Sequence, residues 1–150
     1  MGYRVKGYRA AGLASGIKPN GEKDIGIIIS DTPAVTAGVF TRNEIQAAPV
    51  LLDRERISRG PCRAVIVNSG IANCCTGQKG MEDARTTTQL VADHLGFAPD
   101  QVLVASTGVI GQPLPMKTIK NAIPGLIDSA HPDGFSDFSK AIMTTDTVPK

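Results

Sequence analysis

The residues whose types suggest chemistry begin with a threonine and a glycine at the end of an apolar run. Residues 102–115, VLVASTGVIGQPLP, start like a buried strand and then change to small polar residues at Thr107 and Gly108. Glycine lets a backbone approach a ligand closely, and successive N–H groups just past a strand end can point at one anion. The pattern indicates a site for a phosphate or a developing oxyanion. The alternative is a turn in which Thr107 hydrogen-bonds nearby backbone groups.

Two other segments combine small, amide and hydroxyl side chains. Residues 68–77, NSGIANCCTG, have almost no bulk, which is typical both of substrate sites built from backbone and of surface loops. Residues 144–147, TTDT, place three hydroxyls around Asp146. Such a cluster can bind the ammonium and carboxylate groups of an amino acid, and it can equally cap a turn.

The cysteines and histidines favour neither a disulfide framework nor a metal site. Cys62, Cys74 and Cys75 make an odd number of thiols, and the two histidines lie in unrelated contexts. No pair of these residues has the spacing of zinc ligands, so we expect no metal. Neither Cys74 nor Cys75 has a histidine nearby in sequence, and a buried, unreactive cysteine is the commoner case.

Composition and charge exclude several functional classes. The formal net charge is +2 and basic residues form no long block, so we expect no nucleic-acid partner. No apolar run reaches the roughly 18 residues of a membrane span, and the start of the chain lacks the apolar core of a signal peptide. We therefore expect a soluble, cytoplasmic protein that does not bind membranes.

The clearest element pattern is strand, helix, strand. Residues 63–70 and 101–108 are apolar runs that end in polar residues and glycine. Between them a helix is predicted, because positions on one face recur every three or four residues and Gly96 and Pro99 end the pattern. Those positions are Met81, Ala84, Thr88, Val91 and Leu95. If the two strands are parallel, their polar ends lie at one edge of the sheet, where open α/β sheets bind ligands. A mixed sheet would separate these ends.

The remaining elements are predicted from apolar runs and turn residues. We expect short strands at residues 26–30, 36–41 and 48–52 and one helical turn at residues 53–58. Pro115 can open a helix, in which Pro124 predicts a kink or an early end. Asp133 is the expected N-cap of a last helix. With few aromatic residues to fill a core, the chain is predicted to be an α/β protein.

Five ordered segments closely resemble one enzyme family, the bifunctional ornithine acetyltransferase / N-acetylglutamate synthase family. The likeness runs essentially from end to end, at consistent separations. The segments are GYRAAGLASGIK (7–18), SDTPAVTAGVFTRNEIQAAPV (30–50), AVIVNSGIANCCTGQKG (64–80), VLVASTGVIGQPLPM (102–116) and AIMTTDTVPK (141–150).

The resemblance implies an acyltransferase of arginine biosynthesis with a layered α/β sandwich fold. Such enzymes move an acetyl group from N-acetylornithine to glutamate, with acetyl-CoA as a second donor in bifunctional members and no resident cofactor. Their precursors cut themselves at an Ala-Thr bond into α and β chains, which assemble as an α2β2 heterotetramer. The new N-terminal threonine of the β chain is the nucleophile and carries the acetyl group as an intermediate.

The resemblance also assigns roles to residues of this chain. Thr107 and Gly108 match the oxyanion-hole pair of the family, and Thr144 matches a substrate-binding threonine, with the doubled Thr144 and Thr145 leaving that match uncertain by one residue. Residues 1–150 correspond to most of an α chain that lacks the segment up to the cleavage site. Two alternatives stay open: a non-catalytic module that binds a small molecule or phosphate, and an amidase-type relative of the family.

Overall fold

A four-stranded sheet with helices on both faces organises the chain in the computed structural model, which describes residues 4–146 and 148. Within these residues the elements follow one another as β1 (Tyr8–Leu13), β2 (Ile25–Ala34), α1 (Ala48–Ile57), β3 (Cys62–Ile71), α2 (Gly77–Leu95), β4 (Val102–Val109), α3 (Met116–Asp128) and α4 (Phe135–Ala141). A single 3-10 turn, Pro99–Gln101, leads into β4. The predicted α/β class is confirmed.

The strands pair in the order β1-β2-β3-β4. β1 and β3 both run antiparallel to β2, whereas β4 runs parallel to β3 with α2 as the crossover between them. The sheet is therefore mixed, yet the predicted strand–helix–strand unit keeps its parallel pair. The register places Asn68 beside Ser106 and Gly70 beside Gly108, so the two polar strand ends are neighbours.

One face of the sheet carries the core. Ile25, Ile27 and Ile29 occupy alternate positions of β2, are fully buried, and pack with apolar side chains of α1, α2 and α3. Alternate positions of a strand point to one face, which explains this pattern. Helix α4 lies on the opposite face, where the Phe138 ring packs on Gly26.

Helix α2 ends as predicted at Gly96. This residue has a φ of 68° and its N–H donates to the carbonyl of Ala92. A left-handed residue at this position satisfies helix carbonyls that have no partner further along the chain, and glycine adopts it without steric cost.

The strand expected at residues 48–52 is wrong, because this segment forms the first part of α1. Pro49 lies in the first turn, where a helix needs no N–H donor, and the charged residues that follow continue the helix to Ile57. The helical turn expected at residues 53–58 is thus the second half of a longer helix. The strand expected at residues 36–41 is also wrong: the segment is irregular, pairs with no described strand, and leaves Val39 fully exposed.

Two helix boundaries differ from expectation. Helix α3 continues through Pro124 to Asp128, because the proline is on the exposed side and buried residues on the other side, such as Ile123 and Leu126, hold the helix against the core. Helix α4 begins at Phe135 with Gly134 as its N-cap. Asp133 is not that cap; its carboxylate pairs with Arg4 at 2.6 Å.

Side chains of α1 cover the free edge of β4. The N–H of Val104 donates to Oδ1 of Asp53 at 3.0 Å, and the buried guanidinium of Arg56 donates to the carbonyl of Val102. An edge strand otherwise presents unpaired backbone groups on which another chain can pair. Asp53 and Arg56 therefore bond backbone groups at the edge where a fifth strand would otherwise pair.

We expect the Asp53→Asn substitution to change how the free energy of unfolding depends on pH. Burial raises the pKa of Asp53 to about 6, and the Val104 N–H and the Arg56 charge offset this rise only in part. Because this pKa lies above the ordinary value of about 3.9, the folded chain binds the proton more tightly than the unfolded chain. Stability from this group is therefore present at low pH and declines as the pH rises from about 4 to about 6. The amide keeps an acceptor oxygen and does not titrate.

Urea unfolding at several pH values measures the effect. Relative to the wild-type chain, the variant should become more stable as the pH rises through this window, while Asp93→Asn at an exposed position of α2 should not. A difference between Asp53→Asn and wild type that does not change with pH would contradict the assignment.

Candidate functional site

Gly108 lies so close to β3 that no side chain fits there. Its φ is 133°, and a Cβ atom at this position would lie 2.3 Å from both the carbonyl carbon and oxygen of Gly70. Backbone of this kind strongly favours glycine. The glycine at the end of the predicted strand therefore has a local cause: it lets the two strand ends approach closely.

Backbone groups alternate between the two sides of β4. The N–H of Val104 faces α1, whereas the carbonyl of Val109 faces the β3 side and accepts the N–H of Ala72 at 2.8 Å. By this alternation the N–H of Gly108 points away from β3, where the ladder does not use it. Among residues 4–146 and 148, none hydrogen-bonds the hydroxyl of Thr107. Two adjacent donors are thus available at this strand end.

The amide side chains of residues 68–77 hold the strand ends together. The hydroxyl of Ser106 donates to Oδ1 of Asn68 at 2.6 Å, and Nδ2 of Asn68 donates to the carbonyl of Ile71 at 2.9 Å. Asn73 is fully buried, and its Nδ2 donates to the carbonyl of Gly80 at 2.9 Å. These amides bond within the protein, so the segment fixes the geometry of the neighbouring strand end.

A groove of about 570 Å³ opens at this strand end. It is bordered by three parts of the chain: the ends of β3 and β4 (Gly70, Thr107, Gly108 and Val109), the β1–β2 loop (Lys18, Pro19, Asn20 and Glu22) and the segment after α4 (Thr144 and Thr145). The structure therefore brings Thr107, Gly108 and Thr144 together. Both Thr144 and Thr145 line the groove, so the choice between them stays open.

The β1–β2 loop is organised by a buried carboxylate. Asp24 is fully buried and accepts the N–H groups of Ser15, Gly16 and Lys18 at 2.7, 3.1 and 2.9 Å, together with the Ser15 hydroxyl at 2.7 Å. Its own carbonyl accepts the N–H of Ser69 at 2.8 Å. Asp24 therefore fixes the loop and joins it to β3.

Lys18 links this loop to the segment that carries Thr144. The side chain is 9% exposed, and its ammonium donates to the carbonyls of Met143 at 2.6 Å and Lys23 at 3.0 Å. Nearby, the hydroxyl of the buried Ser69 donates to the carbonyl of Ala141 at 2.6 Å. The end of α4 and the segment after it are thus held by two side chains, one from the loop and one from β3.

The sequence pattern assigned no functional role to Lys18 or Asp24. A lysine in a loop rich in glycine and serine is typical of a solvent-exposed position, and the residues that bury it are distant in sequence. The only local signal was the clustering of Ser15, Gly16 and Asp24 around the loop. Thr147, the last residue of the TTDT cluster, lies outside the described residues.

The described residues hold neither a cluster of metal ligands nor a membrane-spanning helix. No group of three or more His, Cys, Asp or Glu side chains in that part of the chain has the geometry to bind a metal ion. None of its helices is both long enough and apolar enough to cross a bilayer.

Comparison with known proteins gives one consistent family. A model of the ArgJ family matches residues 9–150. The arginine biosynthesis bifunctional protein ArgJ of Geobacter sulfurreducens is 53% identical over 146 residues, and that of Gloeobacter violaceus is 51% identical over 147 residues. Both alignments cover 97% of this chain, but only 37% and 36% of the two relatives. The chain thus spans little more than a third of their length.

Two solved structures share the fold. The crystal structure of the arginine biosynthesis bifunctional protein ArgJ from Bacillus halodurans superposes with a TM-score of 0.90 at 44% identity, over 96% of this chain and 75% of that chain. The crystal structure of ornithine acetyltransferase complexed with ornithine from Mycobacterium tuberculosis gives 0.93 at 41% identity, over 96% and 79%. The layered α/β fold implied by the sequence resemblance is confirmed.

We expect Gly108→Ala to destabilise the chain more than Gly111→Ala. Both glycines have a positive φ, 133° and 76°, but a Cβ at Gly111 would meet nothing within 4 Å. The strained backbone alone costs about 1–2 kcal/mol, and crowding against Gly70 should add roughly 1–3 kcal/mol at position 108. Free energies of unfolding measured in urea test this, and equal losses in the two variants would show that the contact with Gly70 carries no strain.

We expect Lys18→Met to loosen the segment after α4. The methionine chain fills similar space but leaves the carbonyls of Met143 and Lys23 without their donor, at a cost of about 1–3 kcal/mol. Amide hydrogen exchange of residues 142–146 should become faster, whereas Lys120→Met on the exposed side of α3 should leave it unchanged. Unaltered exchange in Lys18→Met would contradict the role of this ammonium in holding the segment.

Proposed function

The chain belongs to the ArgJ family, and we propose that it supplies the oxyanion-binding donors and part of the substrate site of an acetyltransferase. The proposed reaction, in arginine biosynthesis, moves an acetyl group from N-acetylornithine to glutamate. One observation supports it most directly: Thr107 and Gly108 line a single groove with Thr144, which is distant in sequence.

The attacking hydroxyl in this proposal belongs to the N-terminal threonine of a β chain, produced by cleavage of an Ala-Thr bond. A free α-amine has a pKa of about 7.7–8.0, so near neutral pH it can accept the proton of its own hydroxyl. The threonine oxygen then attacks the acetyl carbonyl of N-acetylornithine. The carbonyl oxygen becomes an oxyanion.

Thr107 and Gly108 stabilise that oxyanion. The Thr107 hydroxyl and the Gly108 N–H have no partner in the strand ladder that they would have to give up. The close contact between Gly108 and Gly70 and the bond from Ala72 to Val109 hold the strand end in place. Donors fixed in advance stabilise developing charge without reorganisation, which makes such groups effective in catalysis.

The intermediate collapses when the amine of ornithine takes a proton and leaves, and the acetyl group stays on the threonine as an ester. The amine of glutamate then attacks this ester, and a second oxyanion forms at the same donors. Its collapse releases N-acetylglutamate and returns the threonine hydroxyl. Acetyl-CoA can enter as an alternative donor, with coenzyme A as the leaving group. These reaction steps transfer only an acetyl group and protons, so they need no resident cofactor.

Thr144, with Thr145 beside it, borders the groove on the segment after α4 and is proposed to bind the amino-acid substrate. A threonine offers a hydroxyl that can both donate to a carboxylate and accept from an ammonium group. The proposed working form is an α2β2 heterotetramer, in which the β chain places its threonine at the open side of the groove.

We expect Thr107→Ala to slow acetyl transfer by about 10²- to 10³-fold in the complete assembly of α and β chains, as loss of one oxyanion donor typically does. Thr107→Ser keeps the hydroxyl and should retain most of the activity. Thr86→Ala, on the exposed side of α2, is the matched control. The measurement is the steady-state rate of N-acetylglutamate formation from N-acetylornithine and glutamate.

Two results would contradict the proposal. Turnover of Thr107→Ala close to that of Thr86→Ala would remove the role of the hydroxyl. Release of acetate without formation of N-acetylglutamate by the unmodified assembly would identify a hydrolase of the amidase type instead.

A further inference from the structure

Two adjacent thiols lie beside the strand end and take no part in the proposed reaction. The Sγ atoms of Cys74 and Cys75 are 3.8 Å apart. Cys75 is exposed and Cys74 is half-buried, so the buried state expected for these two cysteines is wrong for Cys75 and only partly met by Cys74. Two thiols at this separation form a dithiol, which can react as a unit.

The backbone of this loop, residues 72–77, is bonded to the residues that follow Gly108. The carbonyl of Cys74 accepts the N–H of Gly111 at 2.8 Å, and the N–H of Ala72 donates to the carbonyl of Val109 at 2.8 Å. Cys75 has a φ of 58°, a left-handed conformation that residues other than glycine rarely adopt. The loop is therefore held in an unfavourable conformation, and its peptide groups support the strand end.

A cleft of about 270 Å³ gives small molecules access to Cys75. Much of its lining is apolar and comes from Ile45, Ala48, Leu51 and Met81. A reagent that enters the cleft meets the exposed thiol first. Burial and the hydrogen bond with Cys75 raise the pKa of Cys74.

We propose that Cys74 and Cys75 form a redox-sensitive modification site, which small-molecule disulfides convert to a disulfide between the two adjacent residues. The Cys75 thiolate attacks one sulfur of the reagent, forms a mixed disulfide and releases one thiol. Cys74 loses its proton to solvent and attacks Sγ of Cys75, which releases the second thiol and forms the Cys74–Cys75 bond. The protein loses two electrons and two protons, and the reagent is reduced to two thiols.

Ring closure changes the support of the strand end. The two sulfurs must approach from 3.8 Å to about 2.05 Å, the length of a disulfide bond. The peptide bond between the two cysteines is planar and stiff, so the remaining torsions must rotate and turn that peptide group. Its carbonyl is the acceptor for the N–H of Gly111. The disulfide therefore breaks or lengthens the bond that ties the loop to the segment after β4.

The test treats the full-length protein with oxidised glutathione under native conditions. The number of free thiols should fall by two, and the intact mass should decrease by two hydrogens with no glutathione attached. Cys74→Ser should instead retain one glutathione on Cys75, because the resolving thiol is gone. A stable glutathione adduct on Cys75 of the wild-type protein, or an unchanged number of free thiols, would overturn the proposal.

Hydrogen exchange tests the coupling to the strand end without any activity assay, so its outcome is independent of the proposed function. On oxidation the Gly111 amide should exchange on the order of tenfold faster or more, since it loses its acceptor. Dithiothreitol should reverse the change, and Cys75→Ser should show none. Unchanged protection of Gly111 in protein whose disulfide is proven by mass would refute the coupling.

Discussion

The groove depends on one buried carboxylate, Asp24. This side chain collects three backbone N–H groups and one hydroxyl from residues 15–18, and its own carbonyl accepts the N–H of Ser69 on β3. A buried carboxylate is tolerated only when such donors surround it. Because the donors to its carboxylate come from the β1–β2 loop and its carbonyl bonds β3, Asp24 fixes this loop against the sheet. Lys18 of that loop donates to the carbonyl of Met143, and this bond positions Thr144 and Thr145 at the groove.

The second constraint is the close contact of the two parallel strand ends. Gly70 and Gly108 meet backbone to backbone, and Asn68 accepts the hydroxyl of Ser106 across the same pair of strands. At the other edge of β4, side chains of α1 hydrogen-bond the backbone groups of Val102 and Val104. The first part of the strand is thus held on both sides. Beyond these contacts, the hydroxyl of Thr107 and the N–H of Gly108 have no partner in the part of the chain that the structure describes.

The sequence predicted the parts of this arrangement that depend on local pattern. The periodicity of α2, its end at Gly96 and the two apolar runs were sufficient to predict β3, α2 and β4, whereas the parallel pairing that brings their polar ends together was one of two alternatives. Residues 48–52 were misjudged because a short apolar run fits a strand or a buried helix equally well, and packing decides between them. Lys18 and Asp24 could not be assigned, since their partners lie on other elements. Thr144 was identified through the family resemblance, and pattern alone left it ambiguous.

The two sides of the groove differ in how firmly they are held, and this difference suits the proposed chemistry. The strand end that carries Thr107 and Gly108 belongs to β4, whose backbone pairs with β3 on one side and bonds side chains of α1 on the other. The segment with Thr144 and Thr145 is exposed and is held mainly through Lys18 and Ser69. Stabilising a developing charge requires donors that do not move, because any reorganisation would add to the barrier. Admitting two different amino-acid substrates in turn requires a wall that adjusts, and a segment anchored by two side chains can do so without disturbing the strand end.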